Sequence, residues 1–136
     1  MITAADIDKM TAYLKIFNDP GFKPVLRPVS VEEKAHDDNV MCITASPPEY
    51  AQEVRGFFAA ASKDCWIDSD YMDKHAEDMI RDFRKIREAS LSRIRTMLTY
   101  CTRGERFCDG FWGDIFTSGV IHAILERLVE IREEDF

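Results

Sequence analysis

Apolar positions recur along this chain mostly at helical spacing. Ile7, Met10, Leu14 and Phe17 fall at i, i+3, i+7 and i+10, the buried stripe of an amphipathic helix. Thr3, with Asp6 three positions later, is a variant of the capping box that opens this helix, and Pro20-Gly21 closes it. Ser46-Pro47-Pro48-Glu49 predicts a second start, with a serine cap, proline at the first helical position and glutamate at the third. Tyr50, Val54, Phe57, Phe58 and Ala61 share its inner face, and Trp66, in the break that follows, plugs the core between helices.

A third helix beginning near Asp68 or Ser69 carries Met72, Ala76, Met79, Ile80, Phe83 and Ile86. Leu91, Ile94, Met97, Leu98 and Cys101 belong to a fourth, capped by Ser90 or continuous with the third, with Gly104 as its stop. From Glu105 the period resumes through Phe107, Phe111 and Ile115. Gly110 and Gly113 lower helix stability there by about 1 kcal/mol each relative to alanine, which points to a close backbone neighbour. Ser118-Gly119 ends that segment, and Val120, Ile121, Ile124, Leu125, Leu128 and Ile131 mark a last helix. Residues 22–46 break the rule. Pro24, Pro28 and the polar patch Glu32 to Asn39 oppose a helix, whereas Val25-Leu26 and Val40 to Thr44 favour strands, so a small hairpin between these runs and an ordered loop both stay open. The fold class that follows is mainly all-α: a single compact domain over residues 1–136, five or six helices, with an irregular or small β-hairpin insert near residues 22–46.

Composition narrows the function classes. The 46% apolar and 32% charged residues of a 136-residue chain are those of one soluble domain with a core of its own. A net charge of −7 argues against nucleic acid, whose phosphates need clustered bases. No apolar run approaches the ~18 residues of a membrane span. The acidic N-terminal stretch lacks the basic region of a signal peptide, and Cys42, Cys65, Cys101 and Cys108 have no C-x-x-C spacing, so we expect a cytoplasmic protein with free, buried thiols. Charge is uneven: residues 81–106 hold eight bases and three acids. Such a stripe suits an anion or an acidic partner, but helix pairs such as Glu77–Arg81 and Arg84–Glu88 at i, i+4 account for it more simply.

Specific chemistry concentrates in Arg103-Gly104-Glu105-Arg106-Phe107-Cys108-Asp109-Gly110-Phe111-Trp112. Arg103, Glu105, Arg106, Asp109 and Trp112 are the candidate ligand or interaction residues. Arginine forks match carboxylates and phosphates, and the plainer role for Glu105 and Arg106 is to tie two helix ends together. Cys108 beside Arg106 has the cationic neighbour that activates a thiol, but no histidine is near it in sequence. Asp68, Asp70 and Asp73 lack the glycine and glutamate of a Ca²⁺ loop, and His122 with Glu126 is a chance i, i+4 pair, so no metal or cofactor is expected. The Ile115 to Ile121 stretch resembles a helix-turn-helix bend at Gly119, yet Glu126 and Glu130 on the second helix would repel phosphates.

The block Arg103 to Gly110, with Trp112, Ser118-Gly119 and Leu125-Glu126-Arg127-Leu128, resembles a family of small uncharacterised bacterial proteins, a domain of unknown function. Pro48, Tyr50, Val54, Phe57, Trp66 and Tyr71 extend the resemblance upstream, so that it covers about residues 47–131. It implies a bacterial cytoplasmic origin and brings no activity, substrate or cofactor. The function expected from the residues is a non-enzymatic helical binding or protein-interaction module that forms a homo-oligomer or takes a protein partner. The rival is a small enzyme with an arginine and acid pocket at the same junction, where Glu105 or Asp109 acts as acid or base on a small anionic molecule.

Overall fold

A computed structural model describes residues 1–35 and 41–136. Helix α1 (Ala4–Phe17) opens as its sequence directs. The Thr3 hydroxyl accepts from the Asp6 N–H at 3.2 Å, and the Asp6 carboxylate accepts from the Thr3 N–H at 2.8 Å. The chain then forms β1 (Val25–Arg27), β2 (Ser30–Ala35), β3 (Met41–Ser46) and β4 (Glu49–Tyr50). A β-hairpin, one of the two readings the sequence leaves open, does form within the insert, but not between Val25-Leu26 and Val40 to Thr44. β1 pairs antiparallel with β4, and inside it β2 pairs with β3 in register from Ser30↔Ser46 to Ala35↔Met41. Val40 of the expected run lies outside the described residues.

The second helix starts late. The Ser46-Pro47-Pro48 signal predicts a start at Pro47, but α2 spans Gln52–Ala61 with Ala51 as its uncapped first neighbour. Pro48 keeps the residue before it out of the helical region, and Glu49-Tyr50 is taken by β1. The Ala51 N–H completes that attachment by donating to the Pro24 carbonyl at 2.9 Å.

The expected third helix is broken into turns and two short helices, α3 (Ala76–Ile80) and α4 (Phe83–Arg87), because His75 has a positive φ of 57° and Asp82 caps a new start through the Arg84 N–H. Met72 is consequently 72% exposed rather than part of a core stripe, while Ala76, Ile80 and Ile86 are buried. Ser90 caps α5 (Leu91–Gly104), so α4 and α5 are separate. α6 (Phe111–Thr117) and α7 (Val120–Asp135) follow, the latter entered through Gly119 at φ 88°. The total is seven helices among the described residues, against five or six expected. The mainly α class, with one core, stands.

α7 is the centre of packing, with α1, α4, α5 and α6 around it, and buries Ile121, Ile124, Leu125 and Leu128 completely. An aromatic cluster fills the other half: Phe17 meets Phe57 and Phe116 edge-on, and Phe58 stacks on Trp112 with centroids 4.2 Å apart. Trp66 is 2% exposed, plugging the core as expected. None of the helices is long and apolar enough to cross a membrane.

The turns around Trp66 are locked to α5 by polar groups. The buried Asp68 carboxylate accepts from the Thr96 hydroxyl at 2.7 Å and the Lys74 ammonium at 2.8 Å, and the Asp68 N–H donates to the Thr99 hydroxyl at 2.9 Å. Arg95 donates to the Ile67 carbonyl beside them. These bonds, led by the Lys74 contact, hold the Asp68 carboxyl down at about 2 against the opposing effect of burial.

Candidate functional site

The segment between α5 and α6 is a closed turn, not the helix its period predicts. The Phe107 and Cys108 N–H groups both donate to the Gly104 carbonyl at 3.1 Å, and Gly110 takes φ 91° to begin α6. Phe107 is therefore 77% exposed instead of buried with Phe111 and Ile115. Gly104 ends α5 as expected, but not through a left-handed cap. It is glycine because the Phe111 ring lies against it, 2.2 Å from where a Cβ would stand. Gly113 admits Val25, whose Cγ2 would be 2.9 Å from a Cβ there. The glycines predict a close backbone neighbour; at Gly113 it is instead a side chain of β1.

Glu105 organises the junction. Its Oε1 accepts from the Tyr50 hydroxyl at 2.8 Å and the Trp112 N–H at 2.9 Å, and its Oε2 accepts from the Gly110 N–H at 2.9 Å. The Tyr50 oxygen accepts in turn from the Gly113 N–H at 3.4 Å, and the Phe111 N–H donates to the Cys108 carbonyl. All the orphan N–H groups of the first turn of α6 thereby have acceptors, with a carboxylate at the positive end of the helix. Burial, reinforced by the Glu105 carboxylate, pushes the Tyr50 phenol well above its ordinary range. Trp112 is fixed at both ends: its ring stacks on Phe58, and its indole N–H donates to the Cys101 carbonyl at 3.0 Å.

Two shallow grooves flank Trp112. One, of about 440 Å³, runs between α2 and the end of α5 and is lined by Arg55, Phe58, Ser62, Thr102, Arg106 and Trp112, with Glu105 at its base. The other, of about 400 Å³, lies toward β1 and β4 and is lined by Arg27, Glu49, Tyr50, Arg55, Asp109 and Trp112, again with Glu105. Arg106 and Asp109 are exposed there. Among the described residues neither Arg55 nor Arg106 has a carboxylate within ion-pair distance, and Arg27 donates to the Pro47 carbonyl at 3.4 Å. A larger hollow of about 800 Å³ lies between Ile2, Cys65 and the start of α5, but none of the five candidate ligand or interaction residues lines it.

The junction is thus a built surface on which Arg55 and Arg106 have no carboxylate partner among the described residues. A family model described as "Family of unknown function (DUF6508)" matches residues 2–134. The chain belongs to this family. Its match reaches well beyond residues 47–131, the span over which the sequence resemblance holds, and takes in α1 and the β segment. No curated protein and no solved structure matches the chain.

In this family member, four of the five candidate residues come together: Glu105, Arg106, Asp109 and Trp112 line the grooves. Arg103 does not join them. It leaves the other side of α5 and stacks over the Tyr71 ring, with its guanidinium carbon 5.3 Å from the centroid. Arg27, Arg55, Tyr50 and Phe58 belong to the site and were not singled out. They come from elements brought in by tertiary packing, and no local spacing links them to residue 105.

Of the eight bases in the stripe, two sit in the expected i, i+4 pairs among the described residues, Arg81 with Glu77 and Arg84 with Glu88 at 3.6 Å. Cys108 is exposed, against the expectation of buried thiols, because its turn projects from the surface; Cys101 is buried and Cys65 half-buried. No group of three metal-ligating side chains converges among the described residues. Asp68 is committed to Lys74 and Thr96, and the His122 ring Nε2 lies 3.1 Å from the Phe17 carbonyl.

Proposed function

We propose that the protein is a non-enzymatic helical binding module, and that the grooves on either side of Trp112 receive an anionic group of a protein partner or small molecule. The observation that carries this is how charge is distributed. The Glu105 carboxylate is consumed by the Tyr50 hydroxyl and two backbone N–H groups, while Arg27, Arg55 and Arg106 surround the grooves without a carboxylate partner among the described residues. Guanidinium forks bind carboxylate and phosphate in bidentate fashion, and arginine beside a rigid aromatic ring is the composition of binding hot spots. The free thiols at Cys65, Cys101 and Cys108 support a reducing, cytoplasmic setting.

Tryptophan emission tests the reading, because Trp112 lines both grooves whereas Trp66 is shielded at 2% exposure. Titration with inorganic phosphate and with an oligo-glutamate peptide is expected to give a saturable change for at least one probe. Its affinity should fall by roughly tenfold or more in the Arg55→Ala/Arg106→Ala double variant. A flat response to both, or a response the double variant keeps, sinks the idea.

A second reading, a small enzyme acting on an anionic substrate, rests on Asp109. This exposed carboxylate lines the groove beside Arg27 and Arg55 and, unlike Glu105, has no hydrogen-bond donor among the described residues. It requires turnover of a bound anion that Asp109→Asn abolishes without weakening binding.

A further inference from the structure

The opposite side of the α5–α6 turn carries an apolar cup of about 270 Å³, lined by Tyr71, Met72, Tyr100, Phe107, Cys108 and Phe111, with Glu77 and Gly104 completing it. Phe107 and Met72 on its wall are 77% and 72% exposed. Two large apolar side chains are thus exposed together at one hollow rather than scattered singly over the surface. The cup shares no lining residue with the arginine grooves, so it stands apart from the function proposed above.

We infer that this cup is where a second copy of the chain docks, the Phe107 of each copy seating in the cup of the other. A two-fold contact requires knob and hole on one patch. Here they are one patch: Phe107 forms part of the wall and projects from it, on a turn held shut by the paired N–H bonds to the Gly104 carbonyl. The rim carries both signs of charge. Glu77 lines it, and Arg103 stacks on its Tyr71. A second copy thus meets an acid and a base at the same cup, a complementarity that offsets the repulsion of two chains of net charge −7. Glu77 keeps Arg81 within its own chain and is still half exposed, so it has room for a second cation. A foreign partner would have to supply both the knob and this charge pattern, whereas the chain already supplies them to itself.

Sedimentation equilibrium over a range of concentrations tests the pairing. Wild-type protein is expected to fit the mass of two chains at the upper end. Phe107→Asp should be monomeric with an unchanged circular-dichroism melting profile, and Met72→Glu should weaken the dimer by roughly tenfold or more. Cys108 also lines the cup, so a short bismaleimide should link two wild-type chains and fail to link Cys108→Ser. Charge is read separately: Glu77→Lys and Arg103→Glu should each weaken the dimer, and the two together should restore part of it. A wild type that stays monomeric throughout overturns the inference, and if it then binds an apolar dye that Phe107→Asp does not, the cup serves some other occupant. A dimer that survives Phe107→Asp also overturns it, by placing the contact on another face.

Discussion

At Gly104 two opposing effects meet on one carbon. Alanine is favoured over glycine in a helix by about 1 kcal/mol, and Gly104 has ordinary helical geometry at the end of α5. A Cβ there, however, falls 2.2 and 2.3 Å from two carbons of the Phe111 ring, which itself sits edge-on to Tyr100. Overpacking of this kind costs about 1–3 kcal/mol, which exceeds the helix gain. Gly104→Ala should therefore lower the urea midpoint, and an unchanged midpoint would show that the Phe111 ring yields freely. Glu105 poses a similar question of role. Glu105→Gln removes the charge and one of the two acceptor oxygens, stranding a donor at the start of α6. We expect a loss of about 1–3 kcal/mol in stability, and a comparable loss for Tyr50→Phe, which takes the acceptor from the Gly113 N–H. A Glu105→Gln protein of full stability would contradict the bracing role.

Among the elements, those with both a complete cap and a sustained apolar stripe were legible in the sequence. α1 and α5 begin where Thr3 and Ser90 place them, and the buried positions of α7 are those its period marks. The failures have physical causes. Ser46-Pro47-Pro48-Glu49 has the residues of a helix start, but the second proline and the pairing of Tyr50 with Val25 hold it extended. The stretch from Asp68 or Ser69 to Ile86 has a helical period too, yet it is broken by the left-handed turn at His75, the Asp82 cap and local polar bonds that spacing does not reveal. Asp68 is the chief of these. Its folded carboxyl titrates at about 2, below the unfolded value near 3.9, so its contribution is whole above pH ~4 and disappears as pH falls through about 2. With the partner Lys74 half exposed, that contribution is about 1–2 kcal/mol after discounting for solvent screening. Asp68→Asn should remove that part of the acid sensitivity and speed amide exchange in residues 62–75, and identical acid unfolding of wild type and variant would refute the assignment.

For the whole molecule, one source of alkaline sensitivity is local. The Tyr50 phenol titrates higher folded than unfolded, so the stability it contributes is complete below pH ~10 and is lost as pH rises beyond that value. Tyr50→Phe should flatten the decline above pH ~10 in a melting series, and an equally steep decline would assign it elsewhere. Anion binding in the grooves should weaken steadily as salt is raised, since the guanidiniums stand in solvent, while pairing through the apolar cup should respond far less. The candidate site was half legible for a related reason: Glu105, Arg106, Asp109 and Trp112 lie within one turn and the helix start after it, but Arg27 and Arg55 reach the site only through the β1–β4 pair and α2. That pair has a consequence for how the chain can vary. Because Arg27 and Glu49 stand opposite one another, and Ser30 opposite Ser46, the backbone leaves and rejoins the helical body through a single doorway. Among the described residues β2 and β3 pair with each other and with no other strand. Replacing residues 31–45 with Asn-Gly, which suits a two-residue hairpin turn, should leave melting of the helical body nearly unchanged, and the same doorway should accept foreign sequence without disturbing the grooves.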